Sequence, residues 1–216
     1  MPQLHKEAVR HLFDGLALEY AGGRERQLSF RAQKHVVLQM LRNADGRILD
    51  VGCGPAVLES DLLRRGLEVV GIDVSLEMLR YGLNRLAGSP YRARCRLLPG
   101  DVEALQFADG EFDAVVCMGV LEFLPSYTRA LREIGRVLRP RGIAVFSVPN
   151  RLSLYHLSLA AVRAGKRLLG RPAPSFIPNR CMPFLLLAQL MREGFQVLES
   201  QRCGAQYIVK VRKAPS

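Results

Sequence analysis

Residues 47 to 59, RILDVGCGPAVLE, restrict the fold of this chain more than any other stretch. Ile48, Leu49 and Val51 make a brief apolar run around Asp50, bounded by glycine, which reads as a short buried strand. Gly52 and Gly54 then form a tight turn, and a helix is predicted from Val57 to Arg65, stopped by Gly66. Two glycines in one turn let the backbone approach a ligand closely, and a helix opening just beyond would aim unpaired N–H groups at it. The stretch therefore predicts a site for a ligand with an anionic end. A lone Gly-x-Gly also leaves open a glycine-rich connection that binds nothing.

The remainder of the chain repeats the same unit. Strands are predicted at EVVGID (68–73), RCRLLPGD (94–101), FDAVVCMG (112–119) and GIAVFSV (142–148), with a helix from Ser75, a good N-cap, and another near 126–138. Strands alternating with helices specify an α/β fold, a doubly wound, Rossmann-like and mostly parallel sheet with right-handed crossovers. Two helical patterns (4–20 and about 25–42) precede the first strand as an N-terminal helical cap. Beyond the fifth strand come a helix near 184–193 and two short strands, 195–199 and 207–212, joined around Gly204 as an antiparallel edge hairpin. The organisation is that of a single domain over 1–216: a cap (1–45), a core (46–148), an insertion (149–182), and a final helix with the hairpin (183–216).

Charge is placed unevenly. The net charge is +11, yet between Glu133 and Glu193 there is no acid and ten basic residues occur (Arg136, Arg139, Arg141, Arg151, Arg163, Lys166, Arg167, Arg171, Arg180, Arg192). Without those ten, 21 basic residues face 20 acidic ones, so one segment carries the excess and would meet an anionic partner or surface. Within it, Leu152 to Leu169 reads as an amphipathic helix with His156, Arg163, Lys166 and Arg167 on one arc. The five cysteines (Cys53, Cys95, Cys117, Cys181, Cys203) are odd in number and lack a Cys-x-x-Cys pair, which argues for reduced thiols and against a zinc site or disulfide framework. No apolar run is long enough to span a bilayer, so a cytoplasmic protein is the expectation.

In an open parallel sheet, ligands sit beyond the carboxyl ends of the strands where strand order reverses. The predicted strand ends bring Gly52 and Gly54, Asp73, Asp101 with Val102, and Cys117 to Glu122 to that edge. Asp73 suits a ribose diol, because a carboxylate accepts from both hydroxyls; Asp101 and the following N–H suit the donor and acceptor edge of adenine. The third glycine of a dinucleotide loop is replaced by Val57, which disfavours NAD. A nucleoside with a charged tail remains.

ILDVGCGPA, VVGIDVSLEML, LLPGDVEAL, FDAVVCMGVLEFL and RVLRPRGIAVFSVPN, in that order, resemble the successive strand motifs of class I S-adenosylmethionine-dependent methyltransferases. The resemblance covers nearly the whole chain from Arg47 onward. It implies S-adenosyl-L-methionine as cofactor, with Asp50, Gly52 and Gly54 holding the methionine part, Asp73 the ribose, Asp101 and Val102 the adenine, and Cys117 lining the pocket through its backbone. Met78 would pack on the adenine or in the core. LFDGLALEY is similar to the helical cap of small-molecule members, which gives Tyr20 a place over the cofactor. Two positions depart from the pattern: Ala56 and Arg141 stand where members usually have glycine.

Methyl transfer is an in-line displacement with an excellent leaving group, so catalysis is mostly placement and exclusion of water. An oxygen or carbon acceptor needs a base as well, and Glu122 and His156 are the candidates. The basic helix would form a lid that touches an anionic membrane surface or a small, lipophilic acceptor, which the charge allows to be anionic, and the layout resembles methyltransferases of the ubiquinone and menaquinone type. The alternatives are an RNA or DNA methyltransferase using the basic face, and a cofactor-binding protein without activity. The fourth-strand motif lacks the Pro-Pro-aromatic signature of base-amine methylation and the chain has no Trp, which disfavours nucleic acid.

Overall fold

The computed structural model describes residues 2–23, 26–150 and 183–214. Two helices, α1 (Pro2–Gly23) and α2 (Leu28–Met40), precede the sheet. Then follow β1 (Arg47–Val51), α3 (Glu59–Arg64), β2 (Glu68–Asp73), α4 (Leu76–Leu86), β3 (Cys95–Pro99), β4 (Phe112–Met118), α5 (Thr128–Val137) and β5 (Leu138–Pro149). The chain ends with α6 (Pro183–Arg192), β6 (Phe195–Cys203) and β7 (Gln206–Lys213). The seven strands form one sheet in the order β3-β2-β1-β4-β5-β7-β6. The first five are parallel, and β7 runs antiparallel against β5 with β6 outermost. Strand order reverses between β1 and β4, so the crevice predicted for a ligand lies over β1.

Alternation along the strands divides the core into two layers. Leu49 and Val51 of β1 join Val115, Phe146, Leu131 and Ile134 on the side covered by α5 and α6. Ile48 joins Val37, Met40, Leu62 and Leu63 on the side covered by α2 and α3. A strand has period two, so Asp50 shares the side of Ile48 and looks toward α3.

The predicted helix at Val57 begins two residues later, at Glu59, because residues 54 to 58 are held in turns. Pro55 supplies no N–H, and Ala56 adopts a left-handed backbone with φ of 55°. The fifth strand is longer than predicted: Leu138 already pairs with Phe112, and a bulge between Phe112 and Ala114 takes up the offset. Arg141, inside that stretch, has φ of 66°. Both substituted glycine positions are therefore ones whose backbone favours glycine. The predicted N-cap is present, with Ser75 Oγ accepting from Met78 N at 3.1 Å.

Of the four described basic residues in the acid-free segment, Arg136, Arg139, Arg141 and Arg192, the first two are engaged within the fold. Arg136 donates to Glu133 and Asp109, and Arg139 to Asp113. Residues 151 to 182, with the helix predicted for 152 to 169, His156 and Cys181, lie outside the described residues. Among the described helices none is long and apolar enough to cross a membrane.

Candidate active site

A cavity opens over the carboxyl ends of β1, β2 and β4. Its walls include Asp50, Gly52, Gly54, Asp73, Met78, Asp101 and Val102, the residues the sequence assigned to the cofactor, with Tyr20 from the cap. Gly52 has φ of +70°, and a Cβ there would stand 2.3 Å from Val120 Cγ2, so glycine is required by both backbone and space. Gly54, with φ of +54°, leaves the floor open toward Met78, whose side chain is buried. Such a cradle admits a ligand where any side chain would block it.

The glycine turn does not present its N–H groups to the cavity. Gly52 N and Cys53 N donate to the Ile72 carbonyl at 2.8 and 3.0 Å, and Gly54 N donates to Asp73 Oδ2 at 2.9 Å. The anion-binding expectation is corrected accordingly: three N–H groups are spent tying the loop to β2. The charged groups around the loop are carboxyls. Asp50 is 4% exposed and Glu59 behind it fully buried. Burial raises Asp50 well above the usual carboxylate range, with the nearby Glu59 and Asp73 acting in the same direction. Asp73 is raised by burial and partly restored by N–H donation from Ser75 and Gly54. A floor of this kind suits a cationic group, such as the ammonium of a methionine tail.

Asp101 meets an unforeseen partner. Lys6 of α1 donates to its Oδ2 at 2.5 Å and pairs with Glu103 at 2.8 Å, while Glu103 N donates to Asp101 Oδ1. Further along α1, Asp14 accepts from Ser75 Oγ at 2.6 Å. His5 bonds the Phe123 carbonyl through Nε2 at 2.7 Å, and Phe13 stacks edge-on against both Tyr20 and Phe123. The N-terminal helix is thus fastened across the cavity near its start, by His5 and Lys6, and at its middle, by Phe13 and Asp14. Tyr20 lies on the wall, as expected of the cap. His5, Phe13, Phe30 and Gln33 line it too, and sequence reasoning did not single them out. The apolar spacing of α1 carried a signal only for Phe13.

Two assignments move. Cys117 is fully buried in the core layer and is not a wall of the cavity; Met118, Gly119 and Val120 are, because the strand end reaches the crevice one residue later. Glu122 sits in the short turn Leu121–Phe123, 5% exposed and behind Gly119, and does not line the cavity. Its burial keeps it from reaching an acceptor there. His156 lies outside the described residues.

A cavity at the strand-order reversal, a glycine cradle, and acids at the ends of β1 and β2 and just past β3 define a nucleoside-binding α/β protein with an N-terminal lid. Residues 49–146 match the family described as a methyltransferase domain. The chain is 30% identical over 204 residues to a malonyl-[acyl-carrier protein] O-methyltransferase of Erwinia billingiae, covering 90% of this chain and 76% of that protein. It is 33% identical to a ubiquinone/menaquinone biosynthesis C-methyltransferase of Geotalea uraniireducens, over 69% of this chain and 67% of the relative. A ubiquinone biosynthesis O-methyltransferase of Alkalilimnicola ehrlichii is 38% identical over 53% of the chain and 47% of its own length. Among solved structures, the [4+2]-cyclase SpnF superposes with a TM-score of 0.77 at 20% identity, over 98% of this chain and 97% of that one. The chain belongs to the class I S-adenosylmethionine-dependent methyltransferases. It spans from about half to three quarters of the length of these curated relatives.

Proposed function

We propose that the protein transfers the methyl group of S-adenosylmethionine to a small, uncharged and largely apolar acceptor of the quinone-biosynthetic kind. One observation carries this reading. Among the described walls of the cavity the charged side chains Asp50, Asp73, Asp101 and Lys6 all belong to the cofactor end, and Lys6 is already paired with Asp101 and Glu103. The remaining described walls include Phe13, Phe30, Phe123 and Leu124, with His5, Tyr20, Gln33, Ser147 and Gln206 as the polar side chains. A flat apolar ring gains from such walls, and a side-chain amide can hold a ring oxygen. A malonyl carboxylate, the acceptor of another relative by its name, would have to be desolvated without an unpaired Lys or Arg among these described walls.

The cofactor supplies an activated methyl group. Asp73 holds the ribose, Asp101 and the Val102 N–H read the adenine, and the Asp50 floor receives the methionine end. The lid formed by α1 and α2 excludes water and sets the acceptor in line. For an oxygen or carbon acceptor we assign the base to His156. The basic segment would add weak, salt-sensitive adsorption to an anionic bilayer, at about 1 kcal/mol per basic residue near its surface.

The test is methyl transfer from labelled cofactor to a panel of demethylated quinone precursors and, in parallel, to malonyl thioesters. Methylation confined to the quinone precursors supports the reading; turnover of malonyl thioesters alone would replace it. His156→Ala should lower kcat by about 100-fold or more with cofactor affinity unchanged; unchanged kcat would remove it as base.

A further inference from the structure

The buried carboxyl behind the cofactor floor has no counterpart in the roles assigned so far. Glu59 opens α3 and is fully buried, and neither of its oxygens has a donor at hydrogen-bonding geometry among the described residues. Asp50, on the same side of β1, is buried beside it, so that a hydrogen bond between the two carboxyls is available. Such a bond exists only while at least one of the two is protonated. Asp50 lines the cavity; Glu59 does not.

The surroundings supply little compensation. Burial raises Glu59 to about 7, and the N–H groups of Leu58 and Glu59, the Asp50 carboxyl and the Arg85 charge all pull it down. Arg85 reaches in from α4, but its Nε donates to the Pro55 carbonyl at 2.9 Å. From β2 comes Asp73, a further acid, and from the loop and β3 come the Cys53 and Cys95 thiols, both raised by burial and therefore protonated at neutral pH. On α3 itself Asp61 is engaged by Lys34 and Arg64. Burial of two acids side by side favours their protonated forms, and Glu59, raised to about 7, is poised to give up its proton near neutral pH.

We propose that Glu59 is a positioning residue for the cofactor: it shares a proton with Asp50, and docking of the cofactor's cationic end drives the pair to its singly protonated, negatively charged state, with release of one proton to solvent. This rests on the cofactor assignment. S-adenosylmethionine bears one more positive charge than S-adenosylhomocysteine, its demethylated product. A floor that becomes anionic on binding favours donor over product, and loss of the sulfonium charge lets the pair take its proton back as the product leaves. No bond other than that to the proton is made or broken.

The experiment is calorimetric titration of the full chain with S-adenosylmethionine and with S-adenosylhomocysteine between about pH 6 and 8, in phosphate and in Tris, whose ionisation enthalpies differ. Below about pH 7 the binding enthalpy should depend on the buffer, reporting proton release, and affinity should rise with pH by up to about tenfold per unit before levelling off. Glu59→Gln, which keeps the shape and a hydrogen bond to Asp50 but cannot ionise, should bind as wild type does at the acid end. It should flatten the profile and narrow the preference for donor over product. A residue that merely packs would not change the pH profile. Buffer-independent enthalpy with flat affinity in wild type, or an unchanged profile in Glu59→Gln, would overturn the proposal while leaving the cofactor in place. Absence of binding by wild type would overturn both.

Discussion

Arg141 holds a left-handed backbone that costs a non-glycine residue about 1 kcal/mol, and its exposed side chain gives nothing back to the core. Arg141→Gly should stabilise the fold by about 1 kcal/mol and raise Tm by about 2–4 °C in thermal melts, with methyl transfer unchanged. Ala56 has the same conformation, but its methyl group is buried against the space beside Gly82, so glycine there would lose packing as it relieves strain. Asp73 is the sharper probe of function. Asp73→Asn keeps an acceptor for Gly54 N but loses the charge offered to the ribose, and cofactor Kd should rise about thirtyfold, on the order of 2 kcal/mol. Unchanged affinity would remove Asp73 from the ribose. Asp73 and both glycine departures were legible in the sequence, since each falls at a fixed place in a strand motif. Glu59 was not, because its meaning lies wholly in what it faces.

The element that most alters the sequence-based picture is α1. Its apolar spacing predicted a helix of the cap, and the chain does form one from Pro2 to Gly23. The fastenings that make it a lid, Lys6 to Asp101 and Asp14 to Ser75, join residues 95 and 61 positions apart, a separation that no local pattern encodes. Asp101 would therefore have two duties, the adenine recognition proposed above and lid anchorage. Lys6→Met removes the second without touching the first. Cofactor dissociation should accelerate by about threefold to tenfold in stopped-flow measurements, with Glu103 and Asp101 left less neutralised. An unaltered off-rate would mean the lid is held by the His5 bond to Phe123, Phe13 packing and the Asp14 contact with Ser75. The glycine loop shows the opposite lesson. Its composition predicted an anion cradle, whereas register with β2 spends its N–H groups on Ile72 and Asp73 and leaves an acidic floor.

At the scale of the whole molecule, the acidic floor sets a tension between folding and binding. Glu59 has its folded pKa raised from 4.5 to about 7, so folding favours its protonated form. Stability from this group is full below the unfolded value, falls as pH rises from about 4.5 to 7, and levels off above that. The loss is on the order of 3 kcal/mol, a substantial share of the stability of a domain this size. Cofactor binding offsets it by placing positive charge where the pair must ionise, so the protein without ligand should be the more pH-sensitive form. Glu59→Gln should melt close to wild type near pH 5 and above it by several degrees near pH 8. Saturating S-adenosylmethionine should shrink that difference by stabilising wild type more than the variant. A constant gap between the two proteins across the pH range would mean that Glu59 contributes through packing alone, and that the charge of the floor is set by Asp50 and Asp73.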